Sequence, residues 1–266
     1  MTNSMAPPAK TVIVTGGAGG GIGGGITTVS AEAGWNVVIV DIDGEAGQAL
    51  SDRLARKGLS TAAFLCADIA TPGCAEEAVA FTLERFGRVD ALVNNAGIGL
   101  VKPITEVSDE EYRRVFSVNI DAAYRFSRAV VNAMPAAGGS IVNIGSVHAL
   151  TNIPGYTVYA TTKGAIDAFT RSLAADVGSR GIRVNCIHPG LVPSPQNRDL
   201  IRNFAEDVDA WLDSYTRKKQ LLATLPTARQ VGELAKFFLS DAASAITGQS
   251  IAIDGGTSAM LYERGS

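Results

Sequence analysis

The sequence predicts a doubly wound α/β protein built on one parallel sheet, and three observations carry that prediction. Its short apolar runs are continuous rather than alternating, the pattern of strands buried on both faces. Amphipathic stretches of helical period lie between those runs. Residues 16–25 read GGAGGGIGGG, eight glycines in ten positions, between the first apolar run and the first helical stretch. Alternation of strand and helix is what a sheet assembled from βαβ units requires.

In chain order, the first strand is expected at Thr11 to Thr15, followed after the glycines by the helix-like stretch from Ile26 to Glu32. Further strands are expected at Asn36 to Asp41, Thr61 to Ala67, Val89 to Val93, Ser140 to Ile144, Ile182 to Ile187 and Ser250 to Ile253. Helical patterns occupy Glu45 to Lys57, Cys74 to Phe86 and Asp109 to Met134. One segment breaks the rhythm. Residues 191–225, after the sixth strand, are rich in charge and bounded by Pro193, Pro195 and Pro226, with a helical pattern of their own over Asp199 to Lys219. A long insertion at a strand end is more often a lid or binding loop than a spacer. The expectation is a single domain over 1–266 with a helical substrate lid at 191–225; a chain of 266 residues can bury one large core.

Composition narrows the partners. With 46% hydrophobic and 18% charged residues and a mean hydropathy of +0.16, the chain is ordered rather than disordered. A net charge of -3 and a pI near 5.5 offer no electrostatic attraction for nucleic acid or anionic lipid, so small molecules and other subunits are the expected partners. Cys66, Cys74 and Cys186 lack C-x-x-C spacing and only His148 and His188 could add imidazole, so neither disulfides nor a metal site is expected; the cysteines are read as reduced, buried thiols. The N-terminus MTNSMAPPAK has no apolar leader core, and no stretch has the length to span a bilayer, which places the protein in the cytoplasm by expectation.

The glycine run reads as a phosphate turn rather than a linker. At a strand-to-helix junction the first helical amides lack intrahelical partners and the dipole end is positive, so a diphosphate is attracted where no side chain blocks the backbone. Gly16 and Gly21 have P-loop spacing, but Ile22 and Gly23 follow where Lys and Ser or Thr would be needed. Asp41 lies 20 residues after Gly21 at the end of the second strand, where an acid bonds the ribose of a bound dinucleotide. Its alternative is a strand-end turn residue, a part Asp43 fills equally well. A ribose 2'-phosphate about 4 Å from this carboxylate would meet repulsion of roughly 1 to 4 kcal/mol, and residues 15–25, 42 and 43 hold no Arg or Lys to offset it. NAD is therefore expected over NADP. Gly24 and Gly25, at the helix start, should each cost up to about 1 kcal/mol relative to alanine and leave that end mobile until NAD binds.

Tyr159 and Lys163 stand at i and i+4, on one face of a helix. A phenol with pKa near 10 becomes a base at neutral pH only with roughly 4 kcal/mol in favour of the phenolate, about what one cation at about 4 Å supplies at moderate dielectric. Such a tyrosine exchanges a proton with an alcohol or carbonyl while hydride moves.

Together, Tyr159-x-x-x-Lys163, Ser146 thirteen residues earlier, Asn94-Asn95-Ala96-Gly97 and the glycine turn behind Thr15 resemble the classical short-chain dehydrogenase/reductase family over nearly the whole chain. Asp68-Ile69, Asn119, Arg183-Val184-Asn185, Pro189-Gly190 and Asp254-Gly255-Gly256 agree with it. The resemblance implies a Rossmann-type sheet and a catalytic set of Asn119, Ser146, Tyr159 and Lys163. Ser146 would orient the substrate oxygen, Tyr159 would be the general acid/base, Lys163 would lower its pKa and hold the nicotinamide ribose, and Asn119 would position a water feeding Lys163. For the cofactor it implies Gly16, Gly21, Ile22 and Gly23 at the diphosphate, Asp41 at the ribose, Asp68 and Ile69 at the adenine, Asn95, Ala96 and Gly97 as main-chain lining, and Pro189, Val192 and Ser194 toward the carboxamide. It also implies a homotetramer built through the helix at Asp109 to Met134 and the one following Tyr159.

The family turn is usually T-G-x-x-x-G-x-G, and residues 15–23 carry one residue more. The surplus is expected within Gly17 to Gly20 as a small bulge; alternatively Gly20 takes the middle role. His148 and Tyr156 either face substrate or serve as packing, and His188 is read as structural. The function expected is NAD-linked oxidation of a secondary alcohol, or reduction of its ketone. The competing readings are an NADPH-dependent 3-oxoacyl-type ketoreductase and a catalytically silent NAD-binding regulator.

Overall fold

The structure, a computed structural model, describes residues 8–59 and 62–261. Thr61, the first residue of the expected third strand, and most of the N-terminal MTNSMAPPAK stretch lie outside the described residues. The elements run β1 (Thr11–Thr15), α1 (Ile22–Glu32), β2 (Asn36–Asp41), α2 (Gly44–Arg56), β3 (Ala62–Cys66), α3 (Cys74–Phe86), β4 (Ala91–Asn94), α4 (Asp109–Phe116), α5 (Ala122–Ala133), β5 (Gly139–Ile144), α6 (Thr157–Val177), β6 (Ile182–Pro189), α7 (Pro195–Arg202), α8 (Val208–Lys219), α9 (Ala228–Leu239) and β7 (Ser250–Ile253). The strands form one sheet in the order β3-β2-β1-β4-β5-β6-β7, every pair parallel. The fold is the expected Rossmann-type sheet flanked by helices.

Strand alternation explains why the apolar runs are continuous. Val12 and Val14 of β1 enter one core with Val37 and Ile39 of β2, Ile26 of α1 and Phe238 of α9. Ile13, Val38 and Val40 point the other way, into a second core with Ala78 of α3, Phe126 of α5 and Val177 of α6. Both faces are covered, so apolar side chains need not alternate with solvated ones, and polar residues buried on the central strands bond to protein, as Asn94 Nδ2 does to Asn143 Oδ1. The edges depart from that rule. Cys66, expected to be buried, is exposed at the end of edge strand β3. The other edge, β7, also leaves Ile251 exposed.

Two helical expectations are corrected. The stretch Asp109 to Met134 is two helices separated by a π-helical turn at Ser117–Asp121. Ser108 opens α4 with a capping box to Glu111. In segment 191–225, the single pattern over Asp199 to Lys219 is likewise two helices. Pro195 is the first residue of α7 rather than a breaker, because Ser194 caps it, and Asp207 restarts the chain as α8 by accepting from the Ala210 N–H. Ile201, Val208 and Leu212 give the pair a small core of its own. Among the described residues, no helix is long and apolar enough to cross a membrane.

The sheet order reverses between β1 and β4, and the carboxyl ends of the strands on either side of that point border a cleft.

Candidate active site

One end of the cleft is backbone. Gly16 turns the chain at φ +61° and donates its N–H to Val40 O at 2.8 Å, fixing the turn to β2. Gly19 takes a second left-handed turn at φ +69°, with open space where a Cβ would stand. This left-handed turn falls inside the stretch where the extra residue is expected. Helix α1 begins at Ile22 with Gly21 as its cap, no side-chain cap and no acidic residue in its first turn.

The helix glycines are required by packing, which corrects the expectation that alanine would serve better. A Cβ on Gly23 would lie 1.8 Å from Gly16 O, and one on Gly24 1.9 Å from Gly19 O. One on Gly25 would lie 2.3 Å from Ala228 O, where α1 crosses α9. Loop and helix backbones press together here, and only glycine allows it.

Asp41 reaches into this turn from β2. Its carboxylate accepts from the Ala18 N–H at 3.0 Å and the Asp43 N–H at 3.1 Å. Asp43 itself caps α2, accepting from the Ala46 N–H at 3.0 Å. Asn95 clasps the turn to the end of β4, its amide donating to Thr15 O and Gly16 O, while Thr15 Oγ1 accepts from the Asn95 and Ala96 N–H groups.

The other end is made of side chains. Ser146 follows β5, and Tyr159 and Lys163 share one face of α6. Gly97, Ser146, Tyr159, Lys163 and Pro189 line the same cleft as Gly16, Gly21, Ile22, Gly23, Asp41, Asn95 and Ala96. Ser146 Oγ accepts from the His148 N–H at 3.2 Å, and its hydroxyl bonds the Tyr159 phenol, favouring the phenolate. Burial is the larger effect and holds the phenol above its ordinary pKa. Lys163 Nζ donates to Ile144 O at 2.9 Å and lies 5.7 Å from the Tyr159 ring centroid. Burial pushes its ammonium down to about 8. In the protein without cofactor, burial is the dominant influence on both groups, raising the phenol and lowering the ammonium.

Other expected residues sit less directly at the cleft. The Asn119 side chain is committed to protein, accepting from the Ile98 N–H and donating to Ile98 O and Thr162 Oγ1. It staples the loop after β4 to α6. Its backbone lies in the π-helical turn, a distortion frequent at functional sites. Asp68 accepts from the Ala70 N–H and pairs with Arg114 at 3.3 Å, while the Ile69 side chain is buried in the core. The Val192 side chain is also in the core, and its carbonyl accepts from the Ser194 N–H and Asn197 Nδ2. Ser194 lines the cleft and caps α7 through Oγ.

His148 and Tyr156 both border the cleft, stacked at 4.2 Å, with rings 5.9 and 6.1 Å from that of Tyr159. Burial lowers the His148 pKa and raises that of Tyr156. Gln196 and Asn197 of α7 also line it, and the sequence reading missed them. The signal available was Ser194-Pro195, a helix start that puts the next residues over the glycine turn.

A protein-family model described as "Enoyl-(Acyl carrier protein) reductase" matches residues 17–258. The chain is 36% identical over 248 residues to a 3-oxoacyl-[acyl-carrier-protein] reductase of Chlamydia trachomatis, covering 93% of this chain and 96% of the relative. It is 35% identical over 253 residues to a cyclopentanol dehydrogenase of Comamonas sp., covering 94% and 97%. L-sorbose reductase of Gluconobacter frateurii, solved with NADPH and L-sorbose, superposes with a TM-score of 0.89 at 28% identity, over 96% and 98% of the two chains. The fold, the site and these matches define a Rossmann-type oxidoreductase. The chain belongs to the short-chain dehydrogenase/reductase family.

Proposed function

We propose that the protein transfers hydride between NAD(H) and a secondary alcohol or its ketone, with Tyr159 as general acid/base. The observation that carries this reading is one cleft with Ser146, Tyr159 and Lys163 at one end and an unblocked glycine turn with Asp41 at the other. The turn suits a dinucleotide: α1 presents its first amides without a side-chain cap or a nearby acid. Gly16, Gly21, Ile22 and Gly23 would hold the diphosphate, Asp41 the adenosine ribose, Asn95, Ala96 and Gly97 the cofactor's length, and Pro189, Ser194 and the Val192 backbone its carboxamide end. Asp68 and Ile69 would flank the adenine.

The bound nicotinamide supplies the hydride acceptor or donor. The chain's own residues handle the proton. Tyr159 Oη takes it from the alcohol hydroxyl during oxidation and returns it during reduction. Ser146 orients the same oxygen by hydrogen bonding, and Lys163 holds the cofactor ribose and supports the phenolate. Asn119 serves by position, holding the loop after β4 against α6 beside Lys163. Segment 191–225 closes the cleft as the lid, with Leu200, Gln196 and Tyr215 on its inner side.

Asp41 favours NAD. Among the residues lining the cleft, the one lysine or arginine is Lys163, at the catalytic end, so nothing there offsets repulsion between Asp41 and a 2'-phosphate. The NADPH in the L-sorbose reductase structure supports the competing cofactor. Four cytoplasmic copies complete the reading, supported by exposed Tyr112 and Tyr124 on α4 and α5 and Ile251 on edge strand β7.

The test follows absorbance at 340 nm with secondary alcohols and ketones, linear and cyclic, under NAD(H) and NADP(H). Turnover with NAD at least about tenfold more efficient than with NADP, and a preference reduced by Asp41→Ala, is the expected result. Preference for NADP overturns the cofactor assignment, and no turnover with either cofactor favours the silent binding protein.

A further inference from the structure

Directly beneath Ser146 lies a polar group that the proposed chemistry does not use. His188, near the end of β6, is 1% exposed. Its Nδ1 lies 3.1 Å from the Ser146 backbone nitrogen, and its Nε2 lies 3.1 Å from Asp167 Oδ1 on α6. Asp167 in turn accepts from Ser250 Oγ on β7 and pairs with Arg171, with its carboxyl held below the ordinary range by these bonds. The ring is thus clamped between the loop that carries Ser146 and the helix that carries Tyr159 and Lys163.

The chemistry of the partners fixes the ring's tautomer. A backbone N–H can only donate, so Nδ1 must be the bare, accepting nitrogen. Nε2 then carries the proton, and a carboxylate is the partner that accepts it. Gly145 makes the contact possible: a Cβ there would stand 2.3 Å from Nδ1. Cys186 Sγ is 3.9 Å from Nε2, but burial pushes its thiol up to about 12, so it stays protonated. Asp167, Cys186 and His188 bring their donor atoms within 4.8 Å of one another, a spacing a metal could use. With Nδ1 bonded to Ser146, Nε2–H to Asp167 and the thiol protonated, the group is instead a satisfied hydrogen-bond network.

We propose that His188 is a positioning residue: held as its Nε2–H tautomer by Asp167, it accepts the Ser146 N–H and so fixes the serine hydroxyl relative to Tyr159 on α6. Without the acceptor, a buried N–H is left unpaired and the Ser146 loop must move to satisfy it. The inference rests on the reading of Ser146 given above.

Asparagine and glutamine separate the two halves of the bridge. His188→Asn places an amide oxygen near Nδ1 and keeps the bond to Ser146, whereas His188→Gln reaches toward Asp167 and loses it. The expected result is kcat within about threefold of wild type for His188→Asn and lowered about tenfold or more for His188→Gln, with KM for NAD unchanged and both variants folded by thermal melting. Ser146 amide exchange should accelerate in His188→Gln alone. In ¹⁵N-histidine spectra, assigned with a His148 variant since the chain has two histidines, His188 should show a protonated Nε2 and a bare Nδ1. A protonated Nδ1, or equal kcat and exchange in the two variants, overturns the proposal. If wild type oxidises no alcohol, the proposed function fails, and tautomer and Ser146 exchange still decide whether the bridge exists.

Discussion

The two ends of the cleft are built from different material. At the glycine end the working surface is main chain, and its shape is set by backbones packed too closely for any Cβ: Gly23 against Gly16 O, Gly24 against Gly19 O, Gly25 against Ala228 O. At the catalytic end the surface is side chain, and its chemistry is set by burial, which raises Tyr159 and depresses Lys163. The first end fails through sterics and the second through lost proton chemistry. Substitutions should therefore separate them, stability and cofactor affinity moving at one end, rate at the other.

The largest effect belongs to the catalytic end. Tyr159→Phe removes one hydroxyl from a ring that stays in place, and kcat should fall by about a thousandfold while the dissociation constant for NAD, read by titration of cofactor fluorescence, stays within about twofold. A matching loss of cofactor affinity would merge the two ends that we treat as separate.

At the glycine end, Gly24→Ala sharpens the contrast. Helix propensity alone predicts a gain of up to about 1 kcal/mol. The Gly19 carbonyl, 1.9 Å from the added carbon, instead predicts a loss of about 2 kcal/mol or more in chemical denaturation, with weaker NAD binding as the turn shifts. A stabilised variant would mean that the turn yields easily.

The smallest effect tests burial at Lys163 without any substrate. Its pKa of about 8 in the folded chain lies below the ordinary 10.5, so between those values the unfolded chain holds a proton the native chain has released. Native stability therefore rises with pH across that window, and the cost of burying the ammonium is complete below about 8. That cost is about 3 kcal/mol, less about 1 for the Ile144 carbonyl left bare on substitution. Lys163→Met should stabilise the cofactor-free protein by about 2 kcal/mol at pH 7, an advantage that shrinks as pH rises from 8 to 10.5 in denaturant titrations. No gain, or a gain independent of pH, would show that Lys163 is not held charged against burial.

What the sequence disclosed divides along the same line. The strands were legible because both faces of the sheet are covered, leaving continuous runs such as Val12-Ile13-Val14. Tyr159 and Lys163 were legible because helical spacing alone brings them to one face. The glycine turn was legible as composition, but the reason for Gly24 and Gly25 was not, because it lies in the Gly19 carbonyl and in Ala228, some 200 residues away. The burial of Tyr159 and Lys163 was hidden for a similar reason: spacing reports proximity, while burial depends on everything packed around the pair. His188 read as a structural residue until the fold placed it under Ser146 and within reach of Asp167.

The central claim is hydride transfer from a carbinol carbon to NAD. The most direct measurement supplies a secondary alcohol deuterated at that carbon, isolates the reduced cofactor and determines its label by mass spectrometry. The account predicts one deuterium in each NADH formed, and none formed by Tyr159→Phe at comparable rate. NADH without label, or label appearing only in NADPH, would contradict it.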